Sequence, residues 1–338
     1  MLPDFTPTSL TGFPIDPSRL GHTVPSPQRT ADKTRCERFV VLMNVGSGSN
    51  EKEQVQQEIV NAISAAGGEA SIFELRPGKD ITQTIERAVI EAKRTGTIVV
   101  AAGGDGTLTA VASQCYRHMV PMGIIPLGTF NYLAREMGVP MNPANAATAL
   151  VGGRRRTINV GFLNDKMFIN NASFGLYTQI IRRREADKSR FGRFRIVALL
   201  SAIATLIRGQ SRFAIRIVTP EGVHVRRTAM VFVCNNVFQL ENIGLKQTEC
   251  IRSGQLAVAL LKPLRRFDTA RLLLRGLTRT LNDESNLEQF CAQMFSVDSR
   301  RRRIDVVLDG EVTRCSTPLS FRVVHDALQV VVPADAVQ

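Results

Sequence analysis

The sequence predicts an α/β fold: a doubly wound parallel sheet in the N-terminal part and an antiparallel β-sandwich in the C-terminal part. Between residues 39 and 137, apolar runs alternate with segments of helical periodicity, which is typical of parallel strands joined by helices. After Gly152-Gly153, short β-like runs dominate, as they do in sandwiches and barrels. The length of 338 residues suits two such domains.

The elements of the first part follow in order from the apolar pattern. Residues 1–36 are rich in Pro, Ser and Thr, show no periodicity, and are predicted to be a disordered leader. The first domain is predicted to span residues 37–153. Within it the pattern predicts strands at 39–43, 70–75, 97–102 and 122–126, helices at 51–66, 81–92, 108–116 and 131–137, and a loop at 103–107.

The second part, residues 154–327, is predicted to be the β-sandwich. Its β-like runs lie at 156–160, 166–170, 213–218, 229–235, 256–261, 304–308 and 319–324. Helical periodicity predicts two further helices, at 194–208 and 269–281. A last apolar run, 328–332, predicts a strand, and the pattern leaves open which sheet it joins.

Charge is distributed unevenly between the two parts. Residues 1–150 have a net charge of −1, and residues 151–338 have a net charge of +14. Such asymmetry favours a polyanionic partner, either nucleic acid or anionic lipid. With no Trp, only three Tyr and no aromatic residues interleaved with the basic ones, the chain lacks the stacking platforms of nucleic-acid binders, so we expect no nucleic-acid partner.

An anionic membrane surface is therefore the expected partner. The longest apolar run, Ile196–Ile207, is too short to span a bilayer, which needs ~20 residues, and basic residues such as Arg182 and Arg208 flank it. The other interpretation, a core helix with solvated flanks, fits about equally well. We expect a cytoplasmic protein that associates peripherally with membranes and has reduced cysteines, and a homodimer is left open.

Three predicted strands end in glycine-bearing polar turns, each of which opens a helix: 44–48, 103–107 and 126–131. In an open parallel sheet such turns lie together at the edge where ligands bind. Glycines let backbone N–H groups approach phosphate oxygens, and helix N-termini add partial positive charge. The three turns together predict a phosphate site, whereas one alone is more typical of a plain βα connection.

Two common nucleotide signatures are excluded. Gly78-Lys79 is followed by Asp80, so there is no Walker A loop, and Thr109 stands where a dinucleotide fingerprint would have its third glycine. Asp105 is the one acid in the three turns. Because a carboxylate repels phosphate unless it holds a metal ion or a substrate hydroxyl, Asp105 indicates a magnesium nucleotide rather than bare phosphate.

The motifs identify a family resemblance that covers residues 38–333. Gly103–Thr107 (GGDGT) resembles the signature of the diacylglycerol kinase catalytic-domain family, which is related to NAD kinases and sphingosine kinases. The 126–131 turn is similar to the family's second nucleotide motif, GTxNDxAR, and 44–48 to its NPxSG loop. Asp309-Gly310-Glu311 resembles its late DGE motif. Val45 replaces the family's Pro, Tyr132 its Asp, and Arg252-Ser253-Gly254 a DDG metal motif, so no metal ligand is assigned.

The resemblance implies an ATP-binding domain followed by a β-sandwich, with ATP between them and residues 328–334 returning to the first domain. Glu311 would accept the proton of the substrate hydroxyl, Asp309 would support it, and Asp105 would organise Mg²⁺-ATP. The residues implied to bind the nucleotide are Asn44, Gly46, Ser47, Gly48, Gly103, Gly104, Asp105, Gly106, Thr107, Gly128, Thr129 and Asn131.

The function implied is an ATP-dependent lipid kinase that phosphorylates a membrane lipid, most simply diacylglycerol to phosphatidic acid. Two alternatives stay open. One is a kinase of a soluble or sphingoid acceptor, similar to NAD kinase or sphingosine kinase, although no TPTGSTAY-like stretch of NAD kinases is present. The other is a nucleotide-binding protein without catalytic activity.

Overall fold

The computed structural model describes residues 37–44, 49–75, 80–178, 181, 213–263 and 286–336. The predicted leader and the predicted helices at 194–208 and 269–281 lie outside these residues. So do Gly46, Ser47 and Gly48 of the first predicted phosphate turn, and most of the basic residues around the apolar run Ile196–Ile207.

The N-terminal part alternates strands and helices as predicted. Its elements are β1 (Arg38–Met43), α1 (Ser49–Ala65), β2 (Glu69–Glu74), α2 (Ile81–Thr95), β3 (Ile98–Gly103), α3 (Asp105–His118), β4 (Met122–Pro126), α4 (Tyr132–Glu136) and α5 (Pro143–Leu150). The strands pair in parallel in the order β2-β1-β3-β4. Every residue of β3 and β4 is buried, which explains their continuous apolar sequences.

Helix α3 begins three residues earlier than predicted. Gly104 is its N-cap in extended conformation, and the Leu108 N–H donates to the Gly104 carbonyl at 3.0 Å. Asp105, Gly106 and Thr107, predicted as loop, are therefore the first turn of the helix. The prediction was wrong because apolar periodicity starts only at Leu108, and a polar first turn leaves no such signal.

The C-terminal part consists mainly of antiparallel strands. Its elements are β5 (Arg154–Leu163), β6 (Lys166–Phe168), β7 (Asn171–Gly175), β8 (Phe213–Thr219), β9 (Gly222–Thr228), β10 (Met230–Cys234), α6 (Val237–Asn242), α7 (Thr248–Arg252), β11 (Leu256–Leu261), β12 (Leu287–Ala292), β13 (Met294–Ser299), β14 (Arg303–Leu308), β15 (Glu311–Ser316) and β16 (Leu319–Val332).

Two sheets enclose the core of this second part. One has the order β12-β11-β10-β7-β14-β15. The other contains β16, β13, β8 and β9, with β5 and β6 attached to β16. Side chains such as Phe168, Phe174, Phe295 and Phe321 fill the space between the two sheets and are almost fully buried. The predicted fold class, a parallel sheet with helices followed by an antiparallel sandwich, is confirmed.

Strand β16 joins the parallel sheet to the sandwich. It covers both predicted runs, 319–324 and 328–332, with one irregularity between Val324 and Leu328. Its first half pairs with β13, and near its end Val330 pairs in parallel with Met122 of β4. One continuous sheet therefore runs from the α/β part into the sandwich, and the β14–β15 hairpin belongs to the other sheet.

Two further features concern the cysteines and the predicted relation to membranes. Cys250 and Cys291 form a disulfide between α7 and β12, whereas all cysteines were expected to be reduced. The spacing of 41 residues gave no signal for this pairing, because the two positions meet only when β12 pairs with β11. Among the described helices, none has the length and hydropathy needed to cross a membrane.

Candidate active site

Asp105 links the second and third phosphate turns. Its carboxylate accepts hydrogen bonds from the backbone N–H groups of Asn131 (3.0 Å) and Tyr132 (2.9 Å), at the start of α4. Burial raises the pKa of Asp105, and these hydrogen bonds oppose the rise. Both carboxylate oxygens thus stabilise the turn before α4. The acid in the GGDGT turn has a structural partner within the protein, and its role in organising Mg²⁺-ATP stays a prediction.

The same two turns contact each other directly through glycines. A Cβ atom built on Gly128 would lie 2.6 Å from the Gly104 Cα, so a side chain at position 128 would push the turns apart. Asn131 stabilises this turn with its φ of +52° and two reciprocal bonds: its Oδ1 accepts from the Gly128 N–H, and its Nδ2 donates to the Gly128 carbonyl. Asn131 is buried, so it stabilises the 126–131 turn from the inner side of that turn.

Asn44, the described residue of the first phosphate turn, contacts the second turn. The Nδ2 of Asn44, at the end of β1, donates to the Oγ1 of Thr107 in the first turn of α3, at 3.1 Å. A Cβ atom on Gly103 would lie 2.7 Å from the Thr107 Cβ, so Thr107 packs where only glycine leaves room. Asn44 and Thr129 are exposed at this edge of the sheet.

Asp309 and Gly310 form the two-residue turn between β14 and β15. Leu308 pairs with Glu311, and both turn residues have positive φ, +46° and +94°, as in the favoured Asp-Gly hairpin turn. Two acids at this spacing would share one face only in extended structure. The turn places them differently: Asp309 is buried and Glu311 is exposed.

The Asp309 carboxylate is enclosed by hydrogen-bond donors. It accepts from the backbone N–H groups of Ile169 (2.7 Å), Asn170 (2.8 Å) and Asn171 (2.9 Å), and from the Thr109 hydroxyl (2.7 Å) on α3. Burial raises its pKa, and the four donors oppose that shift. Asp309 therefore ties the hairpin to α3 and to the β6–β7 connection, and it supports Glu311 by fixing the turn.

Glu311 reaches the N-terminus of α3. A Cβ atom built on Gly106 would lie 2.8 Å from the Glu311 Oε1. The carboxylate of the DGE motif thus touches the first turn of the GGDGT helix, although 205 positions separate the two residues in the chain. Asp105 and Asp309 are engaged inside the protein, which leaves Glu311 as the exposed carboxylate of the two motifs.

Buried amides connect the two aspartates; from the sequence, these asparagines could either hydrogen-bond groups in the cleft or simply form turns. Asn170 Nδ2 approaches Asp105 Oδ1 at 3.5 Å, and Asn170 Oδ1 accepts from Asn236 Nδ2 at 3.1 Å. Asn236 also caps α6, since its Oδ1 accepts from the Gln239 N–H. The pattern of two Asn-Asn pairs at strand ends was the one available signal.

Helices α4 and α6 form a second junction between the two parts of the fold. The Glu136 carboxylate, at the end of α4, accepts from the Val237 N–H at the start of α6, at 3.1 Å. Burial raises the pKa of Glu136 to about 7; nearby Glu241 adds to the rise, and Arg156 opposes it. Sequence reasoning missed this residue because α6 was not predicted.

The donor set fits a metal-nucleotide better than a metal ion alone. Within the described ranges, no three His, Cys, Asp or Glu side chains come together as a metal site. Mg²⁺ is usually held by one or two carboxylates together with the phosphates of the substrate. Asp105 was expected to meet Mg²⁺ in that mode, together with the phosphates of ATP, and this stays a prediction. At Arg252-Ser253-Gly254, the His325 ring lies over Gly254, and the Arg252 guanidinium pairs with the carboxylates of Glu249 and Glu241.

Comparison with known proteins adds to this geometry. Residues 38–163 match the diacylglycerol kinase catalytic domain. They include the turns at 103–107 and 126–131, whose contacts are described above. The resemblance to the diacylglycerol kinase catalytic-domain family is confirmed.

Relatives of this domain carry kinase names. The chain is 30% identical over 148 residues to a "Diacylglycerol kinase" of Staphylococcus haemolyticus, covering 43% of each chain. It is 32% identical over 168 residues to a "Probable lipid kinase YegS-like" of Pseudomonas aeruginosa, covering 48% of this chain and 52% of that one. The chain thus spans about half the length of the curated relatives it matches.

A solved structure extends the likeness of the fold to the second part. The crystal structure of a diacylglycerol kinase from Bacillus anthracis aligns with a TM-score of 0.63 and 17% identity, covering 90% of this chain and all of that one. At this identity the alignment supports the fold. The catalytic-domain match covers residues 38–163, and the likeness of the remaining residues is one of fold.

Proposed function

We propose that the protein is an ATP-dependent lipid kinase, with diacylglycerol as its simplest acceptor. The observation that carries the proposal is the contact between the Glu311 carboxylate and Gly106 in the first turn of α3. It brings an exposed acid of the sandwich to the phosphate turns of a diacylglycerol kinase catalytic domain. A kinase needs both on one side of a cleft, because the acceptor hydroxyl must meet the terminal phosphate.

The phosphates are proposed to lie at the start of α3. The first N–H groups of a helix have no partner within the helix, so those of Gly106 and Thr107 can bind phosphate oxygens. Asn44 and Thr129 add exposed polar side chains at the same edge. Gly104 and Gly128 lie in contact and have no side chains, so a phosphate can approach the backbone of both turns. Mg²⁺, when bound with ATP, supplies charge neutralisation.

The base of the nucleotide is proposed to lie beside β2. A cleft of about 600 Å³ opens there, and its lining includes Phe73, Leu75 and Ile81. Leu75 donates its backbone N–H to the Met43 carbonyl, which places the cleft one strand away from Asn44. Its size is in the range of ligand pockets, and half of the Phe73 side chain is exposed to it.

Glu311 is proposed as the proton acceptor. The acceptor oxygen forms a bond to the terminal phosphorus of ATP, the bond from that phosphorus to the bridging oxygen of ADP breaks, and the hydroxyl proton passes to the Glu311 carboxylate. Asp309 holds the hairpin in place for this step through its four hydrogen bonds. Loose phosphoryl-transfer transition states depend mainly on such positioning.

Peripheral membrane association remains part of the proposal. The net charge of +14 on residues 151–338 supports it, since each basic residue near an anionic surface contributes about 1 kcal/mol. Vesicle sedimentation tests it directly: binding to anionic vesicles is expected to weaken with salt. Equal binding to neutral and anionic vesicles at low salt would contradict it.

Transfer of labelled phosphate tests the function. The protein is incubated with γ-labelled ATP and mixed micelles containing diacylglycerol, a sphingoid base or no lipid, and separately with NAD as a soluble acceptor. We expect label in phosphatidic acid. The Gly104→Val variant serves as control, because its side chain fills the space between the turns and blocks ATP binding. Label in NAD, or ATP binding without transfer to any acceptor, would favour the alternatives.

A further inference from the structure

An aromatic surface lies next to the phosphate turns, and the proposed reaction does not yet use it. Phe130 follows Gly128 and Thr129, and 50% of its side chain is exposed. Its ring stacks on that of Tyr132, with centroids 5.5 Å apart and planes at 3°. Tyr132 in turn contacts the ring of Phe238 at the start of α6, 6.5 Å between centroids. These three side chains are called the aromatic ledge below.

The ledge is held in place by polar contacts on both sides of the α4–α6 junction. Arg135 Nε donates to the Phe130 carbonyl at 2.9 Å, and the Arg135 guanidinium lies 5.7 Å from the centroid of Phe238. Asp105 accepts from the Tyr132 backbone N–H. Burial raises the pKa of Tyr132, and the side chains of Gln239 and Asn242 on α6 oppose the rise, so the hydroxyl lies on the α6 side. The position of the ledge is therefore fixed by the same residue, Asp105, that joins the phosphate turns.

The order of the sheet separates the ledge from the proposed base cleft. In the order β2-β1-β3-β4, the cleft with Phe73 lies at β2. The described residues of the first two phosphate turns follow β1 and β3, and the ledge follows β4. A nucleotide whose phosphates lie at α3 can extend its base toward only one of these sides. If the base lies at β2, the side of β4 and α6 is left for the second substrate.

The chemistry of the ledge selects an apolar second substrate. Its exposed surface is the face and edge of a phenyl ring, which gains free energy when hydrocarbon covers it. Tyr132 directs its hydroxyl to α6 and leaves its ring as apolar surface beneath Phe130. A polyol or a phosphate would find no hydrogen-bond donor on these rings, whereas the methylene and ester groups of a glycerolipid would be covered well.

We propose that the aromatic ledge is the surface that contacts the hydrocarbon portion of the acceptor next to its reacting hydroxyl. The inference rests on the proposed kinase function and names the acceptor class, an alcohol with an apolar body. It assigns Phe130 and Tyr132 a binding role that the GTxN motif does not imply. Tyr132, which replaces the family's Asp, is then a substrate-contacting residue in this chain.

Steady-state kinetics with two variable substrates test the ledge. The acceptor is dioctanoylglycerol in mixed micelles, and the variant is Phe130→Ala. Loss of roughly 50 Å² of covered apolar surface predicts an increase of about tenfold in the KM for dioctanoylglycerol. The KM for ATP is expected to change less than about twofold. Phe130→Leu, which keeps an apolar side chain of similar reach, is expected to restore most of the acceptor affinity.

Two other variants control for exposure and position. Ile90 on α2 is exposed to 49%, as Phe130 is to 50%, but lies away from the site, so Ile90→Ala is expected to change neither KM. Phe73 is also exposed to 49% and lines the base cleft, so Phe73→Ala is expected to raise the KM for ATP and leave that for dioctanoylglycerol. Substitution in the ledge would thus raise mainly the KM for dioctanoylglycerol, and substitution in the cleft would raise mainly the KM for ATP.

Three results would overturn the proposal. Phe130→Ala could raise the KM for ATP instead, which would make the ledge the site of the base. It could leave both KM values unchanged. Finally, if the wild-type protein transfers phosphate to no lipid, the proposed function fails first. The ledge is then tested by equilibrium binding of dioctanoylglycerol without ATP, and equal affinity of wild type and Phe130→Ala would overturn it.

Discussion

The GGDGT turn of the α/β part and the DGE hairpin of the sandwich each contain an aspartate, and the two aspartates have similar surroundings. Asp105 accepts two backbone N–H groups from the start of α4, and Asp309 accepts three from the β6–β7 connection. The two regions differ in what remains. The hairpin adds Glu311, an exposed carboxylate, whereas the described residues of the GGDGT turn add none.

This difference shows that a motif identifies the acidic residues, whereas their hydrogen bonds in the structure indicate which role each of them can have. From the sequence, Asp105, Asp309 and Glu311 were all candidates for chemistry. In the structure, Asp309 is buried among four donors, Asp105 is partly buried and joins two turns, and Glu311 is exposed. A buried carboxylate that accepts four hydrogen bonds is costly to disturb, so the comparison predicts a large effect on stability at Asp309 and on rate at Glu311.

The largest effect on stability is expected at Asp309. Asp309→Asn keeps the side-chain size and tolerates the positive φ, but its amide group faces N–H donors instead of accepting from them. We expect unfolding in urea to require about 3–4 kcal/mol less free energy. Glu311→Gln, two residues away and exposed, is expected to change stability by less than about 0.5 kcal/mol. Equal losses at both positions would remove the distinction between the two acids.

The next effect depends on pH and concerns the α4–α6 junction. The pKa of Glu136 is raised from 4.5 to about 7 in the folded protein, so the folded state holds this proton more tightly than the unfolded state. The stability it contributes is complete below pH 4.5 and is lost as the pH rises through 7. Glu136→Gln is expected to be more stable than wild type at pH 8 by up to about 3 kcal/mol.

Urea denaturation of wild type and Glu136→Gln between pH 4 and pH 8 measures this difference. The two curves should nearly coincide at pH 4 and separate as the pH rises. A constant difference across the whole range would mean that Glu136 does not titrate in this window. Gln at this position still accepts from the Val237 N–H, so the junction itself is retained in the variant.

A smaller effect is expected at Thr109, which joins α3 to the hairpin. Thr109→Val removes one of the four donors to Asp309 and keeps the shape of the side chain. The expected cost is about 1–2 kcal/mol in thermal or urea unfolding. Thr109→Ser keeps the hydroxyl and should recover most of it. If Ser and Val behaved alike, the hydroxyl would not carry the interaction.

The α/β part of the fold could be predicted well because its strands are buried on both faces. β3 and β4 read as continuous apolar runs between glycines, and the helices between strands show clear periodicity. The hairpin strands of the sandwich carry a weaker signal. β9 and β15 were missed because one face of each meets solvent, so that Arg226, Arg227 and Arg314 break the apolar pattern.

The sequence indicated which residues meet at the candidate site, but it did not indicate how they contact one another. Family motifs pointed to Asp105, Gly104, Gly128 and Glu311, and the structure brings these residues to one edge. The partners of Asp309 could not be read from the sequence, since they lie 138 to 200 positions away along the chain. Their contact depends on how the sandwich sheet that contains β7, β14 and β15 lies against α3, which no local pattern encodes.

The central claim is that Glu311 is the proton acceptor of a lipid kinase, and the kinetics of Glu311→Gln with ATP and diacylglycerol test it most directly. The account predicts a fall in kcat of about 10²–10⁴-fold with the KM for ATP nearly unchanged and the fold intact. Loss of ATP binding with kcat retained would contradict it, because Glu311 would then belong to the nucleotide site.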